Sequence, residues 1–316
     1  MATIIITGGT GMIGKKLTEV LLEKGHSVIV LTRDPDRQTA THSNISYAKW
    51  DITNQAIDSN AIARADYIIH LAGAGVADKR WSKKRKQEII DSRVDSGKLI
   101  SDSLRTIPNK VKAVVSASAI GWYGADNLIP SASPQGGVRG STVKFTESDP
   151  ADDAFLGQTC KHWEESIEPL AQLDIRLVKL RIGIVLSRKG GALKEFLKPL
   201  RFRVAAILGS GKQIISWIHI DDLVNMFVFA IENEKINGVY NAVAPFPVSN
   251  KELTITLAKA SRKHFIPMHI PTFLLKIMLG EMSIEVLKST TVSCDKIIGE
   301  GFVFKYPEID SAIKNN

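Results

Sequence analysis

The 316-residue sequence predicts an α/β protein built on a doubly wound parallel sheet, and three observations carry that expectation. Short apolar, β-rich runs alternate with helix-patterned stretches through the first half. The first of these runs enters a glycine-rich turn at once. The last third changes character and is punctuated by proline. Alternating strands and helices imply βαβ units, and hence a parallel sheet covered on both faces.

The elements follow in order. Thr3–Thr7 shows no polar alternation, as expected of a strand buried on both faces. Ile13, Leu17, Val20 and Leu21 recur at helical spacing, and Gly25 stops that helix. Further strands are expected at His26–Thr32, Asp66–Leu71, Val111–Ser116 and Ile175–Leu180. Asn127 to Thr146 is rich in Ser, Pro and Gly and reads as a long surface loop. Phe273–Leu279 and Ile284–Leu287 predict short helices, and Phe302, Phe304 and Tyr306 alternate as in a strand. The domain expectation is a dinucleotide-binding part at residues 1–185 and about 215–245. A smaller C-terminal substrate lobe is expected at about 186–214 and 246–316.

Composition narrows the classes. With 44% apolar and 23% charged residues, the chain is neither disordered nor collagenous. No apolar run reaches about 18 residues, so no membrane span is expected. The N-terminus has no basic region ahead of its apolar run and does not read as a signal peptide. Cys160 and Cys294 are too few for a disulfide framework, and a reducing cytoplasm is the expected setting. The net charge of +8 fits either a basic surface or attraction to an anion. Six of the eight residues from Lys79 to Lys86 are cationic. They read as a solvated helix start, with a nucleic-acid patch as the minor alternative, since no DNA- or RNA-binding signature accompanies them.

Residues 7–14 read Thr-Gly-Gly-Thr-Gly-Met-Ile-Gly, placing Gly8, Gly11 and Gly14 between a strand and a helix. That context is the one a dinucleotide fingerprint requires. Glycines let the backbone approach a pyrophosphate, and the helix N-terminus offers free N–H groups and a positive dipole. The second strand ends in Thr32-Arg33-Asp34. An acid at this place, about 20 residues after the turn, suits the ribose hydroxyls of NAD, whereas an arginine suits the 2′-phosphate of NADP. Arg33 favours NADP(H) over NAD(H), and Asp34 keeps NAD(H) open. No metal-ligand spacing occurs.

These residues resemble the extended short-chain dehydrogenases/reductases, which include the nucleotide-sugar epimerases and dehydratases, so a Rossmann-like fold is implied. His70-Leu71-Ala72-Gly73 resembles the family's cofactor-lining segment, and Asp51-Ile52 its acidic pair near the adenine. Ser116-Ala117-Ser118 with Tyr123-Gly124 resembles the strand carrying the catalytic serine or threonine. Trp217 to Asp222 and Gly238 to Asn241 match two later segments. Arg80-Trp81, Ser92-Arg93, Phe155-Leu156, Cys160, Trp163-Glu164, Gly209 to Gln213, Leu279 to Met282 and Gly301 to Pro307 are similar to an atypical subgroup, the YfcH-like epimerase family proteins. The resemblance implies that Thr7, Gly8, Gly11, Met12, Ile13, Gly14, Arg33, Asp51, Leu71, Ala72 and Gly73 line the cofactor.

One departure matters. Ordinary members use Tyr-x-x-x-Lys, in which the tyrosine moves a proton and the lysine lowers its pKa. Counting back from Glu164, Leu156 stands at the tyrosine position and Cys160 at the lysine position. The subgroup shares that cysteine, and an arginine, here Arg93, where the family has asparagine. A leucine transfers no proton. Tyr123 is then a candidate proton donor or a packing aromatic, Arg93 a candidate oxyanion stabiliser, Ser118 a substrate contact, and Cys160 a nucleophile or a small core residue. The expected function is an NADP(H)-binding oxidoreductase or epimerase acting on a small hydroxyl/carbonyl substrate, a nucleotide sugar among them. The alternative is a sensor or scaffold that keeps NADPH and turns over weakly. An oligomer is compatible with the family.

Overall fold

The computed structural model describes residues 1–126, 144–261 and 264–315; most of the loop expected at Asn127–Thr146 lies outside the described residues. The main sheet begins with β1 (Thr3–Thr7), β2 (Ser27–Thr32), β3 (Ile45–Asp51), β4 (Ala56–Ile57), β5 (Tyr67–His70), β6 (Ala113–Ala119) and β7 (Arg176–Ile182). The chain then leaves it through β8 (Ile184–Leu186), β9 (Val204–Leu208), β10 (Ile214–Ile215) and β11 (Trp217–His219). It returns as β12 (Gly238–Ala242) and leaves again through β13 (Val248–Ser249) and β14 (Ile266–Ile270). The order across the main sheet is β12-β7-β6-β5-β1-β2-β3-β4. Every pair is parallel except β3 with β4.

Helices α1 (Met12–Glu23), α2 (Ser59–Arg64), α3 (Lys83–Thr106) and α4 (Phe155–Ile167) link the early strands. They are followed by α5 (Gly191–Leu200), α6 (Ile220–Glu232), α7 (Asn250–Ala260), α8 (Thr272–Leu279), α9 (Ser283–Leu287), α10 (Asp295–Gly299) and α11 (Ile309–Lys314). The sheet is apolar on both sides because helices cover both. Ile4 and Ile6 of β1 pack in a cluster with Leu17 and Leu21 of α1 and Phe227 of α6. Ile5, pointing the other way, joins Ile62 of α2 and Ile100 and Leu104 of α3. Each such buried isoleucine contributes about 1.5–3 kcal/mol. A third cluster gathers Leu193, Trp217, Leu253, Leu257 and Ile313.

Gly25 ends α1 as expected, at a φ of 78°. It donates to Leu22 O, and His26 donates to Leu21 O. Two features differ from the sequence reading. β3 and β12 are strands that the reading did not name. Residues 302–306 alternate without forming a strand. Their backbone goes elsewhere: Lys305 N and Tyr306 N donate to the Asp222 carboxylate at 2.7 and 2.9 Å, where a strand would need a neighbour's carbonyls. Phe302 meets Phe229 and Phe304 edge-on, and Tyr306 tilts against His219.

β1 and β5 are adjacent, yet their outgoing connections run to opposite ends of the sheet. This is the topological switch point, where a crevice opens beyond the strand C-termini.

Candidate functional site

The crevice is built from Thr7 outward. Gly8 adopts a φ of 67°, and a Cβ there would lie 3.0 Å from the carbonyl of Leu71. At Gly14 a Cβ would lie 2.5 Å from Gly8 O and from the Gly9 Cα. At these two positions the turn has no room for a side chain, which seats α1 against β1. No side chain caps α1, and its first turn holds no acid. The N–H groups of Met12, Ile13 and Gly14 and the positive end of the helix dipole therefore face the crevice unneutralised. The residues present fit a bound pyrophosphate.

Thr7 joins the two crevice strands. Its Oγ1 accepts from Leu71 N at 3.0 Å and Ala72 N at 3.1 Å and lies 2.8 Å from His70 Nδ1. His70 Nε2 reaches Ser96 Oγ at 3.3 Å, and Ser96 donates to Arg93 O. One proton arrangement satisfies the chain: Thr7 donates to Nδ1, and Nε2–H donates to Ser96. Burial, with the Arg93 charge assisting, pushes the His70 pKa down to about 3, so the ring is neutral.

The segment after β5 is held from α3. Arg93 Nη1 donates to Ala74 O at 3.0 Å and Ile89 O at 2.9 Å, and Ser92 Oγ accepts from Ala74 N. The guanidinium lies over Trp163 at 4.9 Å and against Gly73, where a Cβ would come within 3.2 Å. Trp81 packs edge-on to Phe155 and donates to Val76 O. Arg33 is exposed at the end of β2. Asp51 ends the adjacent β3 and is engaged in its own turn, accepting from Thr53 N, Asn54 N and Asn54 Nδ2. The Asn54 hydrogen bonds hold its carboxyl below the usual range.

The other end of the cleft is closed. Ser118 Oγ donates to Glu164 Oε1 at 2.7 Å. Arg181 binds the same carboxylate through Nε at 2.8 Å and Nη2 at 3.1 Å. Arg181 Nη1 donates to Tyr123 Oη at 3.0 Å, and Tyr123 donates to Asn241 Oδ1 at 2.7 Å. Trp122 stacks on the guanidinium at 3.6 Å. Ser118, Glu164, Arg181, Tyr123 and Asn241 are all buried.

Two of the candidates lie in the packed interior. The Tyr123 ring stacks on Phe145, and burial pushes its pKa up to about 12. Cys160 is buried, and desolvation pushes the thiol up to about 12 despite Arg93 nearby. Ser118 is committed as a donor to Glu164, and Arg93 is spent largely on backbone carbonyls. Leu156 and Cys160, at the tyrosine and lysine positions, both pack toward Gly121, where a Cβ would lie 3.2 Å from Leu156 Cβ and 3.6 Å from Cys160 Sγ.

The sequence reading named neither the Glu164–Arg181 pair nor the Gly190-Gly191 doublet. The doublet crosses the start of α1, with a Cβ at Gly190 lying 3.2 Å from Met12 Sδ. The basic run is also divided. Ser82 caps α3, Arg85 is buried against Gly75 O and Glu88, and Lys86 binds Glu281. Lys79 to Lys86 therefore do not present one continuous cationic face.

Comparisons with known proteins agree with this architecture. The NAD-dependent epimerase/dehydratase family matches residues 4–139, and a domain of unknown function, DUF1731, matches residues 270–315. The epimerase family protein YfhF of Bacillus subtilis (strain 168) is 34% identical over 98% of this chain and 96% of its own. The human epimerase family protein SDR39U1 (isoform 2), crystallised with NADPH, superposes with a TM-score of 0.81 at 26% identity, over 99% of this chain and 98% of its own. The nucleoside-diphosphate sugar epimerase of Corynebacterium glutamicum gives a TM-score of 0.73 at 29% identity, over 99% of this chain and 57% of its own. The chain thus belongs to the NAD-dependent epimerase/dehydratase family, among the epimerase family proteins with a C-terminal DUF1731 domain.

Proposed function

We propose that the chain binds NADP(H) at the β1–β5 crevice and acts as an oxidoreductase or epimerase-like protein on an unidentified hydroxyl/carbonyl substrate, nucleotide sugars among the candidates. The observation that carries this reading is the glycine turn, with no room for a Cβ at Gly8 or Gly14, at the uncapped N-terminus of α1. The NADPH of the human relative supports the cofactor class.

A bound nicotinamide cofactor would supply hydride exchange with a substrate carbon. The N–H groups of Met12, Ile13 and Gly14 would hold its phosphates, and Arg33 would take a 2′-phosphate in its planar fork. Asp51 lines the adenine side. Thr7 fixes Leu71, Ala72 and Gly73 as one wall. Arg93, behind Gly73, supplies positive potential for a substrate oxygen, and the Ser118–Glu164–Arg181 set forms a rigid floor.

A second reading is favoured by Leu156 and Cys160. With a leucine and a cysteine in place of the Tyr-x-x-x-Lys pair, turnover lacks the 10²- to 10⁴-fold that a general acid–base typically supplies. The protein would then report cofactor state more than transform substrate.

Fluorescence titration with NADPH and NADH tests the cofactor proposal. NADPH is expected to bind more tightly than NADH. Arg33→Ala should weaken NADPH by roughly 10- to 100-fold, the worth of charged hydrogen bonds at about 1.5–3 kcal/mol, with NADH nearly unchanged. Equal losses for both would remove Arg33 from the phosphate. No binding of either would remove the cofactor reading.

A further inference from the structure

The second lobe carries an apolar surface that the described residues leave uncovered. β9 and β14 pair in parallel, with Ile266 opposite Val204, Met268 opposite Ala206 and Ile270 opposite Leu208. Alternation puts these six side chains on one face. Ala205 and Ile207 point the other way and are buried, where α5 and α7 pack on β9. The chain continues through Pro271 into α8. There Phe273, Ile277 and Met278 are 66%, 65% and 63% exposed, while Leu275 is buried. Phe202, 81% exposed, precedes β9 beside Ile266, whose N–H donates to Arg203 O. Isolated apolar residues on a surface need no explanation, but exposed ones gathered on β14 and on the helix that directly follows it do.

The rim is positive. Arg201 and Arg203 flank Phe202, Lys276 lies within α8, and Arg80 lies against Gly280 at the end of that helix. None of these four has a salt-bridge partner among the described residues. The nearby acids are already neutralised, Glu281 by Lys86 and Glu285 by Lys288.

Strand addition fits this face poorly. Ile266, Met268 and Ile270 bond to β9, so the open edge belongs to Pro267 and His269. Proline has no N–H, which leaves His269 with the one backbone donor on that edge. A second copy placed face to face would set like charges against one another. An anionic lipid surface needs no edge donors and complements the rim.

We propose that this face docks on an anionic membrane surface. The outer face of β9–β14 and the exposed side of α8 enter the headgroup boundary, and Arg201, Arg203, Lys276 and Arg80 meet lipid phosphates. The contact is peripheral: among the described residues no helix is long and apolar enough to cross a bilayer.

Vesicle flotation of the full chain tests it. Phosphatidylcholine vesicles are compared with vesicles carrying about one-third phosphatidylserine, at low and high salt. The expected result is binding to the anionic vesicles, at least about tenfold weaker binding to neutral ones, and loss at high salt. Ile277→Asp with Met278→Asp, and separately Arg203→Glu with Lys276→Glu, should each release the protein. All four positions are exposed, and a thermal melt checks folding. If the apolar pair does not fold, the charge-reversal pair decides alone. Failure to bind anionic vesicles overturns the proposal, as does binding that neither pair alters. A dimer dissolved by Ile277→Asp/Met278→Asp would assign the face to a second copy. Binding to polyglutamate in place of vesicles would assign it to an acidic protein. Either assignment overturns the membrane reading.

Discussion

The two ends of the cleft are built on opposite principles. At the β1–β5 end, side chains have been removed: Gly8, Gly11 and Gly14 leave backbone donors facing outward, and Arg33 stands in solvent. At the β6–β7 end, side chains have been added and tied together. Ser118, Glu164, Arg181, Tyr123 and Asn241 satisfy one another in a buried network. The first end is pre-organised to receive a charged ligand. The second spends polar groups on holding strands and helices in register. Binding and proton transfer are therefore separable properties in this fold.

The largest expected effect comes from breaking the closed end. Glu164→Gln or Arg181→Met leaves a buried charge unpaired and should cost about 3–5 kcal/mol in urea denaturation. Making both changes together should cost clearly less than their sum, because neither charge is then stranded. Additive losses would show that the pair is not coupled. NADPH affinity should respond little to either change, since the network stands away from the glycine turn.

The converse applies at the open end. Gly14→Ala drives a Cβ to 2.5 Å from Gly8 O. Overpacking of this kind costs about 1–3 kcal/mol. It should also weaken NADPH by roughly tenfold or more, because the turn and the helix start must separate. Unchanged cofactor affinity in a folded variant would detach the turn from the ligand.

Between the ends lies His70. Its folded pKa of about 3 is below the ordinary 6.5. As pH falls from 6.5 toward 3, the unfolded chain takes up this proton and the folded chain does not, so stability falls with acidification. His70→Gln should flatten that slope, read as urea midpoints at several pH values. The smallest effect belongs to Cys160. Cys160→Ala should cost about 1–2 kcal/mol as a buried small residue and leave any measured turnover unchanged. Lost turnover in a folded protein would assign the nucleophile role to Cys160.

The open end was legible in the sequence because its signal is local. Three glycines sit between a run of isoleucines and an amphipathic helix, and no distant residue is needed to read them. The closed end was not, because its contacts are long-range. Ser118 meets Glu164 across 46 positions, Arg181 meets Tyr123 across 58, and Tyr123 meets Asn241 across 118. Chain proximity to a strand end made Tyr123 look reactive, while its partners came from elsewhere. One signal was present: Arg181 directly follows the strand expected at Ile175–Leu180, and a charge that folds into the interior requires a partner. The alternation at Phe302, Phe304 and Tyr306 was real too. It recorded which side chains enter the core, and Asp222 decided that the backbone would not join a sheet.

The return of β12 to the main sheet also bears on how the chain is made. Synthesis proceeds from the N-terminus, so β7 is complete at Ile182 while its outer neighbour arrives only with Gly238–Ala242. Through that interval the nascent sheet ends in an open parallel strand whose backbone groups lack a neighbour, the kind of edge that recruits other chains. Until residues 238–242 emerge, the unfinished protein depends on chaperones for cover. A chain terminated before Gly238 is therefore a candidate for degradation and not a smaller working protein.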